Sequence, residues 1–263
     1  MTTRAAHAKL NLALVVGPVR ADGLHEVVTV YQRLDLHDTV ALEPAASLTV
    51  EGFADDTLVR RALESVAQVT GVEPRWRSRI EKRIPVAAGL GGGSADAAAA
   101  LELANELLGG PLPPDRLRVL ARGLGADVPF FLERGPQLGT GDGTELAPLE
   151  LRQDWTSLIL LPDGVVKEST AAVYARFDGD AGFEERRAAL LAALAVDDLA
   201  ALPPNDLVSS PLAGRLLELG AFRADVTGAG PAVYGLFADR DAATRAAEAV
   251  RSLGRSWIAA PAW

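Results

Sequence analysis

Apolar positions along the first part of the chain alternate with polar ones in strand-like runs. Residues 6–16 alternate around Leu10, Leu12 and Leu14, which predicts a β-strand. A 3.6-residue period from Asp55 to Gly71 predicts a helix, because an acidic residue precedes it and a glycine ends it. The same reasoning predicts further strands at residues 25–36, 37–44, 47–52 and 76–84.

The rest of the chain mixes helical and strand patterns. Residues 140–155 are rich in turn-forming residues and predict a loop, at which we place a boundary between domains 1–150 and 151–263. The pattern as a whole predicts a two-lobed α+β fold. Helices are predicted at 94–108, 115–125 and 168–177, after 187, from 211 and at 242–254, and strands at 157–162, 222–227, 232–237 and 256–260.

Composition and charge exclude several classes of protein. A net charge of −9 argues against a nucleic-acid partner, because such proteins usually present a basic face. The absence of cysteine excludes disulfides, thiolate metal sites and cysteine nucleophiles. No apolar run approaches the length of a membrane span, and the first ten residues lack the apolar region of a signal peptide. These features predict a soluble cytoplasmic protein without a membrane partner.

The most unusual stretch is PVAAGLGGGSADAAAA, residues 85–100. A glycine-rich turn that opens a helix can bind an anion, because unpaired backbone N–H groups and the positive end of the helix dipole converge there. Ser94 could add a hydroxyl to a phosphate or Mg²⁺, or could cap the helix. The alternative is a tight connection that needs positive φ angles. Neither a Walker loop nor G-x-G-x-x-G is present. The four glycines are Gly89, Gly91, Gly92 and Gly93.

Two charged residues outside this loop are candidates for chemistry. Lys9 is one of only three lysines, with Lys82 and Lys167, and lies inside a predicted strand. It either reaches solvent from a strand end or supplies a compact ammonium to a phosphoryl group. Asp127, in GADVP, is either a general base or the cap of the next turn. Pro129 is expected to hold the preceding residue extended.

Several motifs together resemble the GHMP kinase family. They are AKLNL (8–12), ADGLHEV (21–27), EKRIPVAAGLGGGSADAA (81–98), LGADVPFF (124–131) and TGAGPAV (227–233). The resemblance runs in order along nearly the whole chain. It implies an N-terminal β/α nucleotide-binding lobe and a C-terminal ferredoxin-like α/β lobe. It also implies transfer of phosphate from ATP, with Mg²⁺, to the 2-hydroxyl of 4-diphosphocytidyl-2-C-methyl-D-erythritol, a step of the non-mevalonate route to isoprenoid precursors.

The resemblance also implies roles for individual residues, with Lys9 and Asp127 as the catalytic pair and no residue assigned as a metal ligand. The implied ATP-binding residues are Thr57, Lys82, Pro85, Val86, Ala87, Ala88, Gly89, Leu90, Gly91, Gly92, Gly93, Ser94 and Ala95. The implied substrate-binding residues are Asn11, Leu24, His25, Ala126, Tyr174, Thr227, Gly228, Ala229 and Gly230. Among these, His25 and Asn11 are expected at the cytosine, with Tyr174 either stacking on its ring or filling the core.

Three positions depart from the family pattern. Leu24 stands where an aromatic is usual, Thr57 where asparagine is frequent, and Ala229 where a hydroxyl residue is usual. Loss of one base–aromatic stack can cost ~1–3 kcal/mol, so cytidine binding is the part most affected. Two alternatives stay open: another GHMP kinase of the homoserine or mevalonate type, and a non-catalytic ATP-binding sensor. The expected partner is a small molecule, and the expected state is a monomer or weak homodimer.

Overall fold

A computed structural model describes residues 1–53, 57–165, 168–178 and 182–262. Lys167 and the start of the helix predicted from Asp55 lie outside the described residues. The chain forms two compact units that interleave along the sequence. The first unit comprises residues 1–8, 36–86 and 91–134, and the second comprises residues 9–35, 87–90 and 135–263. The boundary that we placed between domains 1–150 and 151–263 stays a prediction.

The elements are strands and helices in mixed order. The strands are β1 (Thr2–Val19), β2 (His25–Pro44), β3 (Thr49–Glu51), β4 (Trp76–Glu81), β5 (Gln137–Thr140), β6 (Glu145–Pro148), β7 (Thr156–Pro162), β8 (Arg223–Val226), β9 (Val233–Phe237) and β10 (Gly254–Ala259). The helices are α1 (Thr57–Thr70), α2 (Gly92–Leu107), α3 (Pro114–Leu124), α4 (Thr170–Ala175), α5 (Phe183–Ala195), α6 (Pro211–Glu218) and α7 (Arg240–Ala249). Short 3₁₀ turns span Pro129–Leu132 and Leu199–Ala201.

The first unit has α1 and α2 beside a small sheet. β4 pairs antiparallel with the second half of β2, from Thr39 opposite Glu81 to Pro44 opposite Trp76, and β3 is parallel to β4. The predicted alternation along β4 is confirmed, since Trp76, Ser78 and Ile80 are buried between exposed residues. α2 is buried over most of its alanines, as expected for a helix that is apolar on nearly all sides.

The second unit contains a four-stranded antiparallel sheet in the order β10-β7-β9-β8. With α6 and α7 the strands form a β-α-β-β-α-β arrangement of the ferredoxin type. Leu158 and Leu160 of β7 pack with Leu216 of α6 and Val250 at the end of α7 in a buried cluster. The expected two-lobed α+β fold is confirmed. None of the helices in the described ranges is both long and apolar enough to cross a bilayer.

One prediction of strands and one prediction of a loop were wrong in detail. Residues 25–44 form one strand rather than two, because the polar Asp38 that interrupts the apolar pattern is fully buried and bonded to Lys82. The loop predicted at 140–155 instead contains β6, which pairs with β5 as a hairpin. In the connecting turn, the Asp142 carboxylate accepts hydrogen bonds from the backbone and hydroxyl of Thr144.

Candidate active site

Lys9 lies in the middle of β1, in the second unit, and only 3% of it is exposed. Its Nζ donates to the Oδ1 of Asn11 at 2.5 Å and lies 5.8 Å from the centroid of the Tyr31 ring. The interpretation of Lys9 as a strand-end lysine in solvent is therefore wrong. A buried ammonium with a defined orientation is suited to binding a phosphate or a reacting hydroxyl.

Asn11 holds that ammonium in place. Its Nδ2 donates to the Thr29 hydroxyl at 2.8 Å, and this hydroxyl donates in turn to the Ala13 carbonyl at 2.7 Å. The amide oxygen of Asn11 therefore faces Lys9, and its backbone N–H donates to the Thr227 hydroxyl at 3.0 Å. Asn11 therefore contacts Lys9 directly, and its expected place at the cytosine of the substrate stays a prediction.

The turn at residues 227–230 lies close to the Lys9 ammonium. Gly228 has a φ of +59°, and a Cβ built on it would lie 3.3 Å from both the Lys9 Nζ and the Asn11 Oδ1. Thr227 is fully buried, and its backbone N–H and carbonyl close the turn with Ala232 and Gly230. The glycine at 228 thus permits the backbone to approach an ammonium closely. Ala229 is half-buried in the same turn.

The first half of the glycine-rich loop, residues 87–90, packs against this turn. The backbone N–H of Lys9 donates to the Leu90 carbonyl at 3.0 Å, and that of Ala232 donates to the Ala88 carbonyl at 3.1 Å. Gly89 has a φ of +87°, and a Cβ there would lie 2.5 Å from the Thr227 carbonyl oxygen. Ala87 is exposed and also has a positive φ, 59°. This half of the loop is shaped by the fold itself.

Asn205 fixes the same turn and was missed by the sequence analysis. Its Nδ2 donates to the carbonyls of Val226 at 2.9 Å and Gly228 at 2.7 Å, and its backbone N–H donates to the Asp225 carboxylate at 2.8 Å. Burial raises the pKa of Asp225, although the amides of Asn205 and Val226 oppose this. The available signal was an asparagine between two prolines and an apolar segment, in PPND.

The second half of the loop belongs to the first unit and begins α2. Gly91 is the N-cap residue, in the left-handed conformation, so α2 starts at Gly92 rather than at the predicted Ser94. Ser94 is therefore within the first turn and does not cap the helix. The N–H groups of a first helical turn have no intrahelical acceptor and, with the helix dipole, favour an anion.

The glycines of α2 differ in what surrounds them. A Cβ on Gly92 would lie 3.2 Å from the Ile84 side chain and 3.4 Å from the Lys82 Nζ, tighter than ordinary contact. A Cβ on Gly93 would meet only Leu58, at an ordinary 3.6 Å, and Gly93 does not have a positive φ. The fold therefore explains the absence of a side chain at Gly89, Gly91 and Gly92 but not at Gly93.

Asp127 lies in the first unit, half-buried in the turn after α3, next to the exposed Ala126. The N-cap of the following 3₁₀ turn is Val128, with φ −63° and ψ −42°. The expectation that Pro129 holds Val128 extended was wrong, because the proline occupies the first position of a helical turn, where its missing N–H is tolerated. The pairing of Asp127 with Lys9 stays a prediction.

His25 lies among aromatic rings at the start of β2, in the second unit. Its Nδ1 is 2.8 Å from the Gly17 carbonyl oxygen, so Nδ1 carries the proton and, in the neutral ring, Nε2 is an acceptor. The Tyr174 ring centroid is 5.8 Å from that of His25. Phe177, which the sequence analysis did not single out, is edge-on to His25 at 5.6 Å. Leu24 beside them is 51% exposed.

Other predicted nucleotide-binding residues have varied surroundings. Lys82 donates to the carboxylates of Asp38 at 2.5 Å and Asp96 at 2.6 Å. Thr57 is exposed at the first residue of α1, while Pro85 is buried and Val86 is 55% exposed. Within the described part of the chain, no group of three or more His, Asp or Glu residues is arranged to hold a metal ion.

Comparisons with known proteins define the class. Residues 57–135 match the family described as "GHMP kinases N terminal domain", and residues 207–256 match "GHMP kinases C terminal". A relative from Salinispora tropica is 39% identical over 94% of this chain and 86% of its own. One from Symbiobacterium thermophilum is 37% identical over 96% of both chains. The chain belongs to the GHMP kinase family.

Both relatives are named 4-diphosphocytidyl-2-C-methyl-D-erythritol kinase. The crystal structure of a 4-(cytidine 5'-diphospho)-2C-methyl-D-erythritol kinase aligns over the whole of both chains, with a TM-score of 0.84 and 33% identity. The structure of a homoserine kinase from Cytophaga hutchinsonii aligns over 98% of this chain and 94% of its own, with a TM-score of 0.76 and 17% identity. That second likeness shows the fold alone.

Proposed function

We propose that the chain is an ATP-dependent kinase that phosphorylates the 2-hydroxyl of 4-diphosphocytidyl-2-C-methyl-D-erythritol. The observation that carries the proposal is the match over nearly the whole chain to relatives named for that activity. The enzyme acts in the non-mevalonate biosynthesis of isoprenoid precursors, in the cytoplasm. It is a monomer or weak homodimer, and its partner is a small-molecule substrate.

Phosphoryl transfer needs a nucleophile and stabilisation of developing charge. Asp127 accepts the proton of the substrate 2-hydroxyl. At the same time the hydroxyl oxygen of the substrate bonds to the γ-phosphorus of ATP, and the bond from that phosphorus to the ADP oxygen breaks. The Lys9 ammonium stabilises the negative charge of the phosphoryl oxygens. The hydrogen bond from Lys9 to Asn11 and the close approach of the Gly228 backbone support this role, because they restrict where the ammonium can point.

ATP binds with its phosphates against the first turn of α2. The absence of a side chain at Gly93, which the fold does not require, supports close approach of a ligand there. Mg²⁺ bound together with ATP would neutralise part of the phosphate charge. Mg²⁺ typically keeps waters and phosphate oxygens as ligands, so the phosphates of ATP would supply much of its coordination.

The cytosine is recognised around His25. The bond from its Nδ1 to the Gly17 carbonyl leaves Nε2 as an acceptor for the exocyclic amine of cytosine. A neutral imidazole has one donor and one acceptor, and in His25 the donor is used within the protein. Tyr174 supplies a stacking face, and Leu24 an aliphatic one.

A panel assay of ADP release tests the substrate. With 4-diphosphocytidyl-2-C-methyl-D-erythritol, homoserine and mevalonate as acceptors, we expect turnover of the cytidine compound only. Turnover of homoserine or mevalonate without the cytidine compound would assign the chain to another branch of the family.

Variants in the same assay separate an enzyme from a sensor. Asp127→Asn and Lys9→Ala should each lower turnover by at least ~10²-fold, as general-base and electrostatic contributions do, while a non-hydrolysable ATP analogue still binds. Asp115→Asn, an exposed carboxylate on α3, is the control and should change little. ATP binding without turnover in the unaltered protein would instead support the sensor.

A further inference from the structure

A buried ionic cluster adjoins the glycine-rich loop in the first unit. The Lys82 ammonium lies between the carboxylates of Asp38 and Asp96, at 2.5 and 2.6 Å. Both carboxylates are fully buried, and the Lys82 side chain is 15% exposed. The ring of Phe53 lies 5.8 Å from the Lys82 Nζ. Burial opposes the charge, but the two carboxylates raise the pKa of Lys82 above its ordinary value.

The cluster joins the chain before the loop to the chain after it. Asp38, on β2, accepts hydrogen bonds from the backbone N–H groups of Arg83 at 2.5 Å and Ile84 at 2.8 Å. Asp96 lies in the second turn of α2, after the loop. Lys82 bonds to both carboxylates and lies near Gly92, where a Cβ would be 3.4 Å from its Nζ. The loop therefore leaves and re-enters the first unit at two points held by one ammonium.

We propose that Lys82, with Asp38 and Asp96, is a positioning residue that fixes both ends of the nucleotide-binding loop, and that its ammonium does not bind phosphate itself. This inference rests on the proposed kinase function. The charge of a lysine bonded to two buried carboxylates is already balanced. If the Lys82 ammonium moved to ATP, both buried carboxylates would lose their cation, which is unfavourable. The cluster acts on ATP binding through the shape of the loop.

A double-variant experiment separates the two roles of Lys82. Lys82→Met leaves two buried carboxylates without their cation, so we expect a lower urea unfolding midpoint and about tenfold weaker binding of a non-hydrolysable ATP analogue. In Lys82→Met with Asp96→Asn, one carboxylate charge is removed and Asp38 keeps its two backbone donors. Both the midpoint and the affinity should then recover, the affinity to within about threefold of the unaltered protein. Arg83→Met, an exposed neighbour, is the matched control and should change neither.

Kinetics provide a readout that general loss of stability does not move. For Lys82→Met we expect a raised KM for ATP with kcat nearly unchanged at saturating ATP. If the double variant recovers its midpoint but not its affinity, the ammonium binds the nucleotide and the proposal is wrong. A double variant no better than Lys82→Met, or a Lys82→Met protein equal to the unaltered one, would also contradict it. If the unaltered protein bound no ATP analogue, the kinase proposal would fail, and the unfolding midpoints would still test the cluster.

Discussion

The glycine-rich loop and the turn at 227–230 look alike in sequence but use glycine differently. In the turn, Gly228 and Gly230 both have positive φ angles, and a Cβ on either would meet neighbouring atoms at 3.2–3.3 Å. In the loop, Gly89 and Gly91 have positive φ angles and a Cβ on Gly92 would press against Ile84, whereas Gly93 has neither a positive φ nor a close neighbour. A count of glycines therefore does not by itself indicate a ligand.

The comparison identifies Gly93 as the informative position. From the sequence, the four glycines indicated either a bound anion or a tight connection that needs positive φ angles. In the structure, the fold itself requires a glycine at three of these four positions. Gly89 and Gly91 have positive φ angles, and Gly92 leaves room for the side chains of Ile84 and Lys82. The case for a ligand then depends on one residue at the start of α2, which makes it simple to test.

The largest expected effect is at Gly89. Gly89→Ala combines a left-handed backbone with a clash against the Thr227 carbonyl, so we expect the free energy of unfolding to fall by about 2–4 kcal/mol. Urea unfolding measures this. Gly23→Ala is the matched control, because Gly23 has a similar φ of +83° and no atom within 4 Å of a Cβ. An equal decrease in the free energy of unfolding of the two variants would show that the close approach of Gly89 to the Thr227 carbonyl does not affect stability.

The next largest effect is expected at Gly93, where a substitution should weaken ATP binding without lowering stability. Gly93→Ala should weaken ATP-analogue binding by about 10–100-fold, since a methyl group there displaces a phosphate from charge-assisted hydrogen bonds worth ~1.5–3 kcal/mol. Stability should not fall, because alanine is favoured over glycine in a helix by up to about 1 kcal/mol. Titration calorimetry and urea unfolding measure the two quantities. Gly123→Ala, in α3 with open space around it, should share the stability effect only. Unchanged affinity in Gly93→Ala would remove the structural support for phosphate at α2.

The smallest expected effect is on stability at Ala87, where an alanine occupies a backbone conformation that favours glycine. Ala87 has a conformation that favours glycine, so Ala87→Gly relieves backbone strain of about 1–2 kcal/mol and loses part of that gain to the more flexible unfolded chain. We expect stability to rise by no more than about 1 kcal/mol. Ala189→Gly, at an exposed site within α5, should instead lose about 1 kcal/mol. Matching losses at both sites would mean that Ala87 is not strained.

The sequence predicted the periodic elements well and the partners of polar residues poorly. The helix at residues 57–70 and the strand at 76–81 follow from local periodicity. The interruption of β2 was wrong because Asp38 is bonded to a lysine 44 positions away. Asn205 was missed because it holds a turn 23 residues further on. Local patterns report burial and propensity, and they do not report which distant polar group satisfies a buried one.

The separation of Lys9 and Gly17 along a single strand limits the kind of molecule that can reach both. At about 3.3 Å per residue, the backbone of β1 separates the two by roughly 26 Å. Gly17 orients His25 at one end, and the ammonium lies at the other. A compact amino-acid alcohol is too short to contact both, whereas an acceptor with a nucleoside joined through a diphosphate is elongated. Binding energy from the far end of such a molecule can align its hydroxyl for transfer.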